Sequence, residues 1–148
     1  MFEDYLCSEK GKMEAAEAVR TADTLRDTSS SEIRTSIGLG WFVQARDGDW
    51  TKLQYGPNNQ TVYYRREHGS ALVSDRGLGI QSLRRAFGDA EVEAKLSRIN
   101  EKVSKRDSNF QVDGDAICAR VPIDEMLGEF ICSALRMTDY VSSMQISP

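Results

Sequence analysis

The stretch from Trp41 to Phe87 constrains the fold most strongly, because three turn signals divide it into runs of strand-forming residues. The dipeptide Asp47-Gly48 favours a tight hairpin, and two further clusters of turn-forming residues follow at 56–59 and 67–69. The predicted strands lie at residues 37–45, 50–55, 61–66 and 70–74. Consecutive short strands of this kind predict an antiparallel meander of about four strands, which needs helices to cover its apolar face.

Helical patterns flank this meander on both sides. Apolar residues recur every three or four positions in four segments, which predict helices at 14–26, 80–87, 89–103 and 127–141. Gly11 is expected to separate the first helix from the residues before it. The predicted fold class is therefore α+β, an antiparallel meander packed against about two to four helices, with a short second hairpin around Asp113-Gly114-Asp115. The predicted organisation is an N-terminal helix and polar linker at 1–36, followed by a single α+β domain at 37–148.

Composition favours one globular domain. The chain has 148 residues, of which 40% are apolar and 28% charged. Its start, Met1-Phe2-Glu3-Asp4-Tyr5, lacks the basic and apolar regions of a secretory signal, and no run is long and apolar enough to span a bilayer. A cytoplasmic location and no membrane partner are therefore expected.

Cysteine and histidine usage gives no metal-binding pattern. Cys7, Cys118 and Cys132 are widely spaced, without a C-x-x-C motif, and the last two lie in apolar patterns where reduced, buried thiols are expected. His68 is the single histidine, and no serine or cysteine is placed by the sequence as its nucleophile. No catalytic residue, metal site or cofactor is predicted.

Charge is unevenly distributed along the chain. Residues 36–88 carry seven basic and four acidic groups, whereas residues 89–148 carry seven and eleven. Arginine, tyrosine and tryptophan concentrate binding energy at protein interfaces, and they also stack on bases and contact phosphates in single-stranded nucleic acid. The predicted partner-binding residues are Trp50, Tyr63, Tyr64, Arg65, Arg66, Arg76, Arg84 and Arg85.

Neighbouring residues on a strand point to opposite faces of the sheet. Tyr63 and Tyr64 are therefore predicted on opposite faces, so that at least one of them is exposed beside an arginine. By the same rule, one of Trp41 and Phe42 should belong to the core, while a helix or a partner covers the other.

Asp75 stands at the junction between a strand and a helix, where a carboxylate typically accepts hydrogen bonds from the backbone of the following turn. A metal-binding or general-base role with Asp113 or Asp115 remains an alternative, because hard cations need several oxygen ligands. Gly77-Leu78-Gly79 favours the start of a helix over nucleotide binding, because a dinucleotide motif needs a third glycine and a parallel βαβ unit.

The order of elements resembles an uncharacterised domain family of small phage, prophage and mobile-element proteins. In that family a strand ends in Leu-Thr-Asp-Asp-Gly or a close variant, and two helices, a short hairpin and an amphipathic closing helix follow. The residues that carry the resemblance are Leu72-Val73-Ser74-Asp75-Arg76-Gly77, Asp113-Gly114-Asp115 and Ala134-Leu135-Arg136-Met137-Thr138-Asp139-Tyr140. Arg76 stands where the family has a second acid. The resemblance implies a mobile-element context and a fold, and no catalytic chemistry.

These observations predict a small, non-enzymatic binding protein that masks a host protein, such as a component of a bacterial defence system. One alternative is a nucleotide or nucleic-acid binding protein that uses the same basic, aromatic sheet face. A second is a metal-dependent hydrolase or nuclease built on Asp75. A homodimer is possible if the apolar face of the last helix is not wholly internal.

Overall fold

The computed structural model describes residues 8–56 and 59–146, and it confirms the α+β class. These residues form four α-helices and one antiparallel sheet of seven strands. The helices are α1 (Glu9–Leu25), α2 (Leu78–Phe87), α3 (Asp89–Arg106) and α4 (Leu127–Ser142). The strands are β1 (Thr35–Gly38), β2 (Trp41–Asp47), β3 (Trp50–Tyr55), β4 (Gln60–Glu67), β5 (Ser70–Ser74), β6 (Gln111–Asp113) and β7 (Ala116–Val121).

The strand order is β1-β2-β3-β4-β5-β7-β6. The predicted meander supplies the first five strands, and the predicted second hairpin is β6–β7. That hairpin extends the meander, because β7 pairs with β5 from Ala71↔Val121 to Ser74↔Cys118. The sheet is therefore wider than the sequence predicted.

The predicted strand at 37–45 is divided in two by a turn. Gly38, Leu39 and Gly40 all have positive φ angles, of 91°, 57° and 83°. Three successive residues in this conformation cannot continue a strand. The chain therefore reverses here, and β1 pairs with β2 as an additional edge strand.

The prediction that Gly11 precedes the first helix was wrong, because Gly11 lies inside α1. The helix begins at Glu9, after Ser8, whose hydroxyl oxygen accepts a hydrogen bond from the Gly11 N–H at 3.1 Å. Gly11 is buried, and its carbonyl oxygen lies 3.9 Å from the sulfur of Cys132 on α4. The glycine thus sits where α1 lies close to α4.

One face of the sheet is covered by helices. Alternate residues along the central strands are buried on this face, including Leu53, Val62 and Val73. Helix α4 packs across β4, β5 and β7, and α1 packs on β2 and α4. We call this side of the sheet the covered face.

The apolar stripes of both terminal helices are used inside this core. Ala15, Ala18, Val19 and Ala22 of α1 are buried. On α4, Gly128 allows close approach, because a Cβ there would lie 2.9 Å from the Ala16 nitrogen. The buried residues of α4 include Leu127, Phe130, Ile131, Ala134, Leu135 and Val141. Neither stripe is left open as a docking surface.

Candidate functional site

Among residues 8–56 and 59–146, no helix packs across the other side of the sheet, and we call this side the open face. Its central rows are fixed by the register, which aligns Gln44, Lys52 and Tyr63 across three strands and Arg65 with Leu72 and Arg120. The open face includes Phe42, Gln44, Trp50, Lys52, Gln54, Thr61, Tyr63, Arg65, Leu72 and Arg120. These side chains are exposed or half-buried, whereas Ser74 and Cys118, which continue the Tyr63 row onto β5 and β7, are buried.

Four of the eight predicted residues meet on this face and form what we call the Trp50 cluster, which comprises Trp50, Tyr63, Arg65 and Arg76. The two rings meet edge to face, with centroids 6.5 Å apart. The Cζ atom of Arg65 lies 4.7 Å from the Trp50 ring centroid. The Cζ of Arg76 lies 5.0 Å from the Tyr63 centroid and 5.6 Å from that of Trp50. Two cations thus sit on two aromatic rings.

The turn after β5 directs Arg76 across the open face. Arg76 has a φ of 53°, in the left-handed region that disfavours side chains, and its N–H donates to the Ser74 hydroxyl oxygen at 2.9 Å. Its guanidinium makes an ion pair with Asp47, 3.4 Å away. Burial raises the pKa of Tyr63, and the nearby charge of Asp47 raises it further.

A second arginine stack lies nearer β1. The Arg34 Cζ is 3.7 Å from the Phe42 ring centroid, and the Arg34 Nε donates to the Gln54 side-chain oxygen at 2.8 Å. Trp41, the neighbour of Phe42, is fully buried on the covered face. The prediction that one of these two residues belongs to the core is therefore confirmed.

Several cations on or beside the open face lack a carboxylate partner. Arg76 pairs with Asp47, and Arg120 pairs with Glu67 at 3.0 Å. In contrast, Arg34, Lys52 and Arg65 make no ion pair with any residue that the structure describes. The open face therefore carries uncompensated positive charge beside its rings.

Tyr64 and Arg66 lie on the covered side, where both are bound by carboxylates. The Tyr64 hydroxyl donates to Asp23 at 2.8 Å, and burial, followed by the Asp23 charge, raises its pKa. Arg66 makes an ion pair with Asp23 at 2.7 Å and another with Asp124. The prediction that Tyr63 and Tyr64 occupy opposite faces is confirmed.

The remaining predicted residues, Arg84 and Arg85, lie on α2 away from the Trp50 cluster. Arg84 is held by Asp115 at 2.7 Å and Glu93 at 2.6 Å, and its side chain is 17% exposed. Hydrogen bonding from Arg84 lowers the pKa of Asp115. Arg85 is exposed, and it lines a groove of about 390 Å³ between α2, α4 and the start of β4.

Asp75 has the turn role that its position predicts. The residue is 1% exposed, and its carboxylate accepts hydrogen bonds from the N–H groups of Gly77 at 2.8 Å, Gly79 at 2.9 Å and Ile117 at 2.9 Å. Burial raises its pKa, whereas these three bonds act in the opposite direction. The same bonds occupy the backbone donors of Gly77 and Gly79 that an anion would need.

The structure does not bring Asp75, Asp113 and Asp115 together as a metal site. Asp115 is paired with Arg84, and Asp113 lies exposed at the end of β6. Within residues 8–56 and 59–146, no group of three or more histidine, cysteine or acidic side chains is arranged to hold a metal ion. Of the cysteines, Cys118 and Cys132 are buried, and Cys7 lies outside the described residues.

Sequence reasoning missed Arg34 and Lys52. Lys52 could have been found by alternation, because it is two residues from Trp50 on the same strand. Arg34 carried no such signal, because the predicted first strand began only at Ile37 and the turn at 38–40 was not recognised.

No protein-family model, curated protein or solved structure matches this chain. The resemblance to small phage and mobile-element proteins stays a prediction. Among the helices in the described parts of the chain, none has the length and apolar character needed to cross a membrane.

Proposed function

We propose that this chain is a non-enzymatic binding protein that docks its open face onto an acidic surface of another protein and masks that surface. The resemblance to phage and mobile-element proteins suggests that the partner is a host protein in the bacterial cytoplasm, with a defence component as the first candidate. The observation that carries the proposal is the uncompensated charge of Arg34, Lys52 and Arg65 on a face that also carries half-buried aromatic rings.

The chemistry of the open face suits a protein interface. Tryptophan, tyrosine and arginine are the residues at which interface energy concentrates. The stacked guanidiniums of Arg65 and Arg76 rest on their rings, so less side-chain entropy is lost when a partner carboxylate binds them. An acidic partner would supply the counter-charges that the fold itself does not provide.

The number of available cations favours a protein partner over nucleic acid. Three uncompensated cations would give a salt dependence of only about −2 in log K against log salt for a single strand, far below that of tight nucleic-acid binders. Asp47 and Glu67 border the same face, and the formal net charge of the whole chain is −4. A polyanion would therefore be held weakly at physiological salt.

Affinity capture tests the proposal. Tagged protein is incubated with host lysate, bound proteins are identified by mass spectrometry, and the affinity of the captured partner is then measured for variants. Arg65→Glu should weaken binding by about 30-fold, the effect of removing one interface hot spot. The matched control is Arg98→Glu, the same charge change at an exposed position on α3.

Two results would contradict the proposal. One is partner binding that is equally strong with Arg65→Glu and with Arg98→Glu. The other is saturable binding of a single-stranded oligonucleotide at physiological salt that Arg65→Glu abolishes, which would establish the nucleic-acid alternative.

A further inference from the structure

Strand β4 extends further than its neighbour β5. The pairing between them ends at Tyr63↔Ser74, because the turn built on Asp75 then directs the chain into α2. On its other side, β4 stays paired with β3 as far as Gln60. Among the described parts of the chain, residues 60–62 therefore have a strand on one side only.

The backbone N–H and C=O of Thr61 point to the side that has no strand. Glu67 and Ser70 flank a two-residue turn, so they exchange hydrogen bonds with each other. Along an antiparallel strand, residues bonded to the same neighbour recur at every second position, which gives Tyr63 and then Thr61 this direction. Within residues 8–56 and 59–146, neither backbone group of Thr61 has a hydrogen-bond partner on that side. A donor and an acceptor thus stand where β5 would have continued.

Thr61 also borders the groove of about 390 Å³ between α2, α4 and the start of β4. This volume lies within the usual range of ligand-binding clefts, about 300–1,000 Å³. The groove offers mixed chemistry, with the side chain of Leu78 exposed, that of Leu135 buried, and the Ser82 hydroxyl beside them. If a strand were added beside Thr61, every second side chain of it would point to the covered face, toward the helices that line the groove.

Arg85 gives the groove a charge preference. It is exposed on α2, and it makes no ion pair with any residue that the structure describes. The carboxylate that lines the same groove, Asp139, already accepts a hydrogen bond from the Gln60 side-chain amide at 2.7 Å. A carboxylate supplied from outside is therefore favoured at Arg85.

We propose that an extended segment of another protein, carrying an acidic side chain, binds in this groove as an added strand. Its backbone exchanges hydrogen bonds with Thr61, and its carboxylate binds Arg85. In this mode of recognition the main-chain bonds provide affinity, and the pockets for alternate side chains provide specificity. A small free anion would use Arg85 and leave the Thr61 groups unpaired. The inference does not rest on the proposed function, because isolated peptides test it without a host partner.

Peptide selection tests the site. A random heptapeptide display library is selected on the whole protein, and the affinity of enriched synthetic peptides is then measured for variants. Enriched peptides should carry β-forming residues and an acidic residue. Arg85→Glu should weaken their binding by about tenfold, through loss of a charge-assisted hydrogen bond. The matched control is Arg98→Glu on α3, which should leave peptide binding unchanged.

Thr61→Pro tests the backbone contact directly. Proline removes the Thr61 N–H without removing a bond to β3, because Gln60 and Val62 carry those bonds. It should weaken peptide binding by about tenfold or more, since a hydrogen bond is lost and the ring stands in the path of the added strand. Thr61→Val is the matched control, because it removes the hydroxyl and keeps the N–H. Circular dichroism checks that both variants remain folded.

Hydrogen exchange provides an independent measurement. The amide of Thr61 should exchange rapidly in the free protein and slowly with peptide bound, whereas that of Tyr63, which pairs with Ser74, should exchange slowly in both. Slow exchange at Thr61 without peptide, no enrichment of peptides, or equal binding to Thr61→Pro and Thr61→Val would overturn the added strand. Binding that Arg85→Glu leaves unchanged would overturn the role of Arg85. Self-association that Thr61→Pro abolishes would assign the groove to a second copy instead.

Discussion

Strand β4 carries the same pair of residue types on both of its faces, and the two pairs serve different purposes. Tyr63 and Arg65 lie on the open face, where they contact Trp50 and Arg76. Tyr64 and Arg66 are one residue further along, and both are bound to Asp23 of α1. A one-residue step thus separates side chains available to a partner from side chains committed to the fold.

The carboxylates make this difference. On the covered side, α1 supplies Asp23 and the turn before α4 supplies Asp124, so the charge of Arg66 is neutralised within the molecule. On the open face, Arg65 has a ring beneath it and no acid beside it among the described residues. The number of arginines in a stretch of sequence therefore overestimates the positive charge that is available to a partner.

The largest expected contrast is in stability between Tyr64→Ala and Tyr63→Ala. Tyr64 is 1% exposed, so its truncation should cost about 3–5 kcal/mol, as for other buried aromatic residues. Tyr63 is half-buried among side chains of the open face, and its truncation should cost about 1 kcal/mol or less. Urea unfolding followed by circular dichroism measures both. Equal losses of unfolding free energy would mean that the deeper burial of Tyr64 does not make it more important for stability than Tyr63.

The next effect concerns the turn that places Arg76 over the open face. Asp75→Asn keeps the size of the side chain but replaces one accepting oxygen with an NH2 group. At least one of the three backbone N–H groups that now donate to the carboxylate would then have no acceptor. Leaving a buried donor unpaired should cost about 2 kcal/mol. Asp113→Asn, at an exposed position, should change stability by less than about 0.5 kcal/mol. A similar small effect for both variants would show that the Asp75 bonds do not hold the turn.

A smaller contrast is expected between Arg66→Ala and Arg65→Ala. Removing Arg66 breaks ion pairs with Asp23 and Asp124, and two partly exposed pairs together should contribute about 1 kcal/mol. Removing Arg65 should change stability by less than about 0.5 kcal/mol while weakening partner binding. Unfolding at low and high salt measures the contrast, and salt should reduce the loss for Arg66→Ala alone. If Arg65→Ala is the more destabilising variant, the Trp50 cluster serves to stabilise the fold.

Local patterns predicted the parts of the fold that depend on local rules. Alternation separated Tyr63 from Tyr64 and placed one of Trp41 and Phe42 in the core. It could not show which of two adjacent arginines would be neutralised, because the partners Asp23 and Asp124 lie 43 and 58 residues from Arg66. The pairing of Arg84 with Asp115 spans 31 residues and is equally invisible to a local pattern.

The errors in the predicted elements have the same origin. Gly11 has low helix propensity, but its position in α1 is set by contact with α4, more than a hundred residues later in the chain. The second hairpin was predicted, but its place beside β5 depends on a strand pairing between residues more than forty positions apart. Non-local contacts decided these features, and they also decide which charges remain available.

The smallest expected effect is pH-dependent and concerns Arg84, whose charge is compensated as that of Arg66 is. Arg84 lowers the pKa of Asp115 in the folded state, so the pair stabilises the protein above the ordinary pKa of an aspartate, and this contribution is lost as the pH falls through the lowered value. The stability difference between the unmodified protein and Arg84→Gln should therefore be present at neutral pH and shrink in acid. Arg65→Gln is the matched control, because Arg65 is stacked on Trp50, which does not titrate. Thermal unfolding from neutral to acidic pH measures both differences. A deficit of Arg84→Gln that stays constant down to low pH would show that Arg84 contributes by packing, and the parallel between Arg84 and Arg66 as carboxylate-bound arginines would fail.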